Sequence, residues 1–170
     1  MKILKIILGT LVLVSAWATA DCQNNIPASI NEDQYTQITG GMLRDNTNRL
    51  LWMRCAIGQT WNQTSGRCTG DAKPMNWQQA LQLAHGYVFN QQTGWRLPNM
   101  KELNTIVERQ CVRPAINEGL FPDTPADDFW TSTPSMTDPT KSWVVAFFNG
   151  SNATKTQTLF PYVRLVKTAD

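Results

Sequence analysis

Apolar and polar positions along the chain change period three times. Near the N-terminus, residues 6–17 (IILGTLVLVSAW) are continuously apolar, follow Lys2 and Lys5, and lead into the small residues Ala18-Thr19-Ala20. This order of basic, apolar and small segments predicts a secretory signal peptide over residues 1–20. Residues 21–39 are polar and weakly patterned, and read as an N-terminal arm. In MLRDNTNRLLWMRC, residues 42–55, two strand-like runs flank the turn cluster Asp45-Asn46-Thr47-Asn48, which predicts a hairpin. Residues 56–75 hold turn formers and read as a loop.

A helical period then takes over. Asn76 with Gln79 forms a capping-box pattern, and Trp77, Ala80, Leu81 and Ala84 recur on one face, giving a first helix that ends near Gly86. Asn99 with Glu102 repeats the device, and Met100, Leu103, Ile106 and Val107 form the stripe of a second helix. Pro98 holds its entry extended. The chain is turn-rich from Cys111 to Pro125, after which FWTST (129–133), WVVAFF (143–148) and YVRLVK (162–167) read as strands, with Asn149-Gly150 as a turn. Two helices packed on antiparallel strands make an α+β domain over residues 40–168.

Composition narrows the function classes. The full chain carries a formal charge of +2, and losing Lys2 and Lys5 with the signal brings it to zero. A neutral chain argues against nucleic acid as partner, and no stretch after residue 20 is apolar enough for membrane insertion. All four cysteines follow the expected cleavage site, so an exported protein, periplasmic, cell-surface or extracellular, should oxidise them. Of the three pairings, Cys55 with Cys68 closes a short loop and leaves Cys22 with Cys111 to tie the arm to the domain.

Charge is unevenly placed. Residues 42–113 hold nine Lys and Arg against four acids, including Arg49, Arg54, Arg67, Lys101, Arg109 and Arg113. Gathered on one side, these would attract anions, and the planar arginine fork suits sulfate or carboxylate. Trp61, inside the Cys55 to Cys68 loop, could add a platform for a sugar ring. The stretch from Glu118 to Asp138 is acidic, with Asp123, Asp127 and Asp128 as weak calcium candidates by composition. His85 stands alone at a helix end, and no second His completes a nucleophilic constellation, so the chain reads as a non-enzyme without cofactors.

GWRLPNMKEL, RDNTNRLLWMRC, NWQQAL, AINEGLFPDTPADDFWTSTP and YVRLVK, in this order, closely resemble the Lcl C-terminal domain family of secreted bacterial domains. That family is remotely similar to sulfatase-modifying-factor domains, which share the Trp-Arg-Leu-Pro string. The resemblance implies a C-type-lectin-like fold and places Trp95, Arg96, Leu97, Pro98, Glu102, Trp130 and Arg164 in the scaffold. It also implies adhesion through sulfated or acidic glycans, without the collagen-like repeat of the best-known member. The alternative is a contact with a surface protein, or a structural part in a cell-surface appendage.

Overall fold

A computed structural model describes residues 20–169, so the signal-peptide segment 1–19 lies outside the described residues. The main sheet has four strands: β2 (Tyr35–Ile38), β3 (Met42–Asp45), β4 (Leu50–Met53) and β11 (Val166–Thr168), all antiparallel in the order β11-β4-β3-β2. Preceding them, β1 (Asp21–Cys22) pairs with β7 (Cys111–Val112), and a short 3-10 turn spans Glu32–Gln34. The hairpin β5 (Thr60–Asn62) and β6 (Arg67–Thr69) stands apart, and β8 (Asp128–Pro134), β9 (Lys141–Ala146) and β10 (Ser151–Thr156) make a three-stranded meander. Two helices, α1 (Trp77–Ala84) and α2 (Met100–Asn104), complete an α+β architecture.

Both faces of the main sheet are covered, which follows from strand alternation. Leu43, Leu50, Trp52 and Val166 enter one buried cluster with Ile106, Phe121, Phe129 and Phe147. Met42, Leu51 and Met53 enter a second with Trp95, Leu97, Trp130 and Leu165. Consecutive residues of β8 and β9 divide between the clusters, Phe129 and Val145 to the first, Trp130 and Val144 to the second. The meander therefore closes both cores at one end.

The capping boxes form on both helices: Asn76 Oδ1 accepts from Gln79 N at 2.9 Å, and Asn99 Oδ1 from Glu102 N at 2.9 Å. The second helix is shorter than its apolar stripe suggests. It ends at Asn104, and Ile106 and Val107 are buried from the turn that follows. Residues 56–75, read as loop, contain β5 and β6; their exposed alternating side chains carry no apolar period to reveal them. SNATKT, polar throughout, forms β10 beside β9. YVRLVK does not run as one strand: Tyr162 bridges β8, and pairing with β4 begins only at Val166.

The two disulfides join Cys22 to Cys111 and Cys55 to Cys68. The first fastens an arm that also contributes to the core, since Ile30 and Tyr35 are buried in the first cluster and β2 pairs along β3. Among the described residues no helix is long and apolar enough to cross a membrane.

Candidate functional site

Register in the main sheet aligns Thr36, Arg44, Leu51 and Lys167 as direct cross-strand partners. Partners in a row point to one face, and Arg44 and Lys167, two strands apart, are about 10 Å from each other along the row. The Met53 end of this face is roofed by Trp95, Leu97 and Leu165. At the Arg44 end it opens into a groove of about 390 Å³, walled by the turn Gln91-Gln92-Thr93 and by Ile38 and Thr168. Lys167 Nζ donates to Gln92 Oε1 at 3.4 Å, so the wall and the cation are in contact. Arg44 and Lys167 are both half-buried. An adjoining hollow of about 140 Å³ shares Arg44 and adds the exposed Arg49. Asp45 lines that hollow too, but its carboxylate accepts from Thr47 N, Asn48 N and Asn48 Nδ2, which satisfy it within its own turn.

Chemically, the groove brings together two half-buried cations, side-chain amides and the threonines Thr93 and Thr168 around the apolar Leu51. Partial desolvation strengthens each charge's pull on an anion relative to open water. Neither Arg44 nor Lys167 stands out in the sequence as a ligand residue. Only the strand register, which depends on the turn Asp45–Asn48 and on β11 returning to β4, brings them together.

The sequence-derived cations scatter. Arg49 joins the groove region through the hollow beside Arg44. Arg54 corrects its expectation as an exposed ligand residue: it is buried, its Nε donates to Leu120 O at 2.7 Å, Nη2 to Gly119 O at 2.7 Å and Nη1 to Gln37 Oε1 at 3.2 Å. Burial lowers its pKa. Trp61 lies over that guanidinium, 4.3 Å from ring centroid to Cζ, and packs so closely on Gly41 that a Cβ there would come within 2.6 Å of it. One ring face is thus committed to the protein.

Arg67 pairs with Asp123 at 2.5 Å and Arg113 with Asp21 at 3.1 Å, and both border a third groove of about 250 Å³ together with Glu118. Lys101 and Arg109 are exposed on and just beyond α2. The calcium candidates do not converge either. Asp123 is taken by Arg67 and Cys68 N, Asp127 by Asp128 N, and Asp128 by Lys155 at 3.1 Å. Among the described residues no group of three or more His, Cys, Asp or Glu is placed to hold a metal ion.

The Trp-Arg-Leu-Pro stretch is built into the sheet edge. Arg96 N and O exchange hydrogen bonds with Val166 at 2.9 and 3.0 Å, while Trp95 and Leu97 are buried. The Arg96 fork meets Glu102 with Nη1 to Oε2 at 2.7 Å and Nη2 to Oε1 at 2.8 Å. Burial raises the Glu102 pKa, but bonds from Arg96 and the Asn99 backbone reverse this and leave it below its usual value. Pro98 O accepts from Ser132 N, and Trp130 Nε1 donates to Met75 O. Arg164 is fully buried; it donates to Met53 O and Arg54 O and, at 2.7 Å, to Thr124 Oγ1. Burial, with the Arg54 charge adding, brings its pKa down to about 9.

A family model, the Lcl C-terminal domain, matches residues 41–167. No curated protein and no solved structure matches the chain. The matched span runs from the start of the β3-β4 hairpin into β11, and so takes in Arg44, Leu51, Lys167 and the Gln91-Gln92-Thr93 wall of the groove and the whole of the meander, with Ile38 and Thr168 just outside it. The chain therefore belongs to the Lcl C-terminal domain family.

Proposed function

We propose that this chain is an exported, non-enzymatic binding module with a C-type-lectin-like arrangement, and that it takes acidic or sulfated glycans in the groove between Arg44 and Lys167. One observation carries the reading: the main-sheet register sets two half-buried cations on one face, in an open groove lined by amides and hydroxyls. A sulfate or carboxylate placed there would meet charge-assisted donors, and Leu51 offers an apolar floor to a sugar ring. A non-enzymatic role is supported by the disulfides, which consume all four cysteines, and by His85, an exposed residue that caps α1 through its backbone.

The test is retention on heparin against an uncharged polysaccharide across a range of salt. Arg44→Gln and Lys167→Gln should each lower the salt needed for elution while leaving thermal unfolding within a degree or two, since single exposed or half-exposed charges contribute little to stability. Retention unchanged in the double variant would sink the groove as the site. A second reading, contact with a protein surface, is favoured by a separate observation: three exposed apolar side chains, Met136, Leu159 and Phe160, on neighbouring loops.

A further inference from the structure

Ala20 is the last residue of the segment read as a signal, and the fold holds it against the domain. Its N–H donates to Glu118 Oε2 at 2.7 Å. Directly after it, Asp21 pairs with Val112 and Cys22 with Cys111 across β1 and β7, and the Cys22 to Cys111 disulfide fastens that pairing. The Asp21 carboxylate meets Arg113 Nη2 at 3.1 Å. The chain is thus fixed in place on the downstream side of the Ala20–Asp21 bond.

Beside it lies a hollow of about 270 Å³ with three carboxylates in its lining, Glu32, Glu108 and Glu118. Two of them are satisfied within the fold. Glu108 accepts from Ser29 N, Ile30 N and Gln110 N, and Glu32 Oε1 accepts from Asn117 Nδ2 at 2.7 Å. Glu118 is half-buried, and its carboxylate faces the peptide N–H of Ala20. Among the described residues no Lys or Arg lines this hollow. The potential there is negative, yet the group bonded to Glu118 is a neutral N–H one peptide unit before the expected cut.

We propose that Glu118 is the seat of the mature N-terminus: removal of residues 1–20 creates an α-ammonium at Asp21, and this charge pairs with Glu118 at the hollow. The inference rests on residues 1–20 acting as an export signal. Hydrolysis of the Ala20–Asp21 bond by the export peptidase consumes one water. Its hydroxyl goes to the Ala20 carbonyl carbon and its proton to the Asp21 nitrogen, which takes a second proton from solvent near neutral pH. Ala20 departs, and its N–H leaves Glu118 with it. Consecutive backbone nitrogens are under about 4 Å apart, so the new ammonium lies within a side-chain rotation of the Glu118 carboxylate. A charge-assisted bond replaces a neutral one and is the stronger contact. Processing therefore tightens the arm at the point where β1 begins.

The charged groups around the ammonium are Glu118, the Glu32 and Glu108 carboxylates of the same hollow, and the Asp21 to Arg113 pair. Opposite charge keeps the ammonium protonated, so it should titrate above the ordinary range of about 7.7–8.0. The stability it adds is full below that range and is lost as pH rises through the raised value.

The test uses the full 170-residue chain, exported and processed in a bacterial host. The intact mass of the product should correspond to a start at Asp21. NMR titration of the same isotope-labelled material should place the α-ammonium above about 7.7–8.0. Glu118→Gln should return it to that range, whereas Asp71→Asn, an acid outside the hollow, should leave it raised. The gap in Tm between the parent and Glu118→Gln should be present at about pH 7 and closed by about pH 10. A product that begins at another residue, or that keeps residues 1–20, would overturn the assignment of the cut. An α-ammonium within the ordinary range, or one still raised in Glu118→Gln, would overturn the pair even where the chain begins at Asp21.

Discussion

Arg54 and Arg164 occupy the space between β4 and the 119–124 loop, and neither meets a carboxylate there. Their paired donors go to carbonyls and a hydroxyl, Arg164 Nε is buried without an acceptor, and aromatic faces lie alongside: Trp61 over Arg54, and Phe121 at 5.0 Å from Arg164. Removing such a donor strands buried acceptors, at about 1–3 kcal/mol each. Arg54→Ala should therefore lower stability by about 2–4 kcal/mol in urea unfolding and shift Trp61 fluorescence, since the ring loses the cation beneath it. A loss under about 0.5 kcal/mol would return Arg54 to the class of surface charges. The sequence gives no sign of this difference, because an arginine seven residues from a tryptophan reads the same whether it faces solvent or a loop carbonyl. By contrast, the capping box of Asn99 and Glu102 is readable from the string itself, and the fold adds that the same glutamate holds the Arg96 fork.

At the scale of elements, the arm and the second helix carry the clearest expectations. Asn99→Ala removes the acceptor for Glu102 N and should cost about 1 kcal/mol, read by thermal or urea unfolding. The arm is held by the Cys22 to Cys111 bridge and by Glu108, whose carboxylate accepts from Ser29 N, Ser29 Oγ, Ile30 N and Gln110 N. Burial raises the Glu108 pKa, and these bonds outweigh it, leaving the group below its usual value. A depressed carboxylate stabilises the fold above its unfolded pKa, about 4.3, and this contribution is lost as pH falls through the lower folded value. Amide protection at Ser29 and Ile30, relative to an unfolded chain at the same pH, should thus be high at neutral pH and fall below pH about 4, ahead of that of the main-sheet amides. Protection that falls uniformly across the protein would show that the arm has no separate acid step. Replacing Cys22 and Cys111 together by serine should cost about 4 kcal/mol on the chain-entropy model, with the largest gain in exchange at the arm.

For the whole molecule, charge sets what the surface can bind. The Arg44 to Lys167 groove should respond to salt because its ligand is ionic. With a formal charge of +2 for the full sequence, two of it from Lys2 and Lys5, no global field steers an anion toward the groove. Glycan affinity should therefore fall by a similar factor when either groove cation is neutralised, read as the salt needed for elution from heparin.

By itself the sequence determined the features that act over a few residues: both capping boxes, the Asp45–Asn48 hairpin turn, the cysteine pairing, and the order of motifs that places the chain in its family. Each depends on spacing along the chain or on composition, which the sequence states directly. Tertiary structure alone decided which cations meet. Lys167 reaches Arg44 across Leu51 because β11 returns over more than a hundred residues to pair with β4, and Arg54 turns inward because the 119–121 carbonyls arrive beside it. It also decided that polar segments such as SNATKT become strands, through pairing with β9. Backbone hydrogen bonds between distant segments carry no side-chain pattern, so the residues that make the groove become neighbours only when the chain closes.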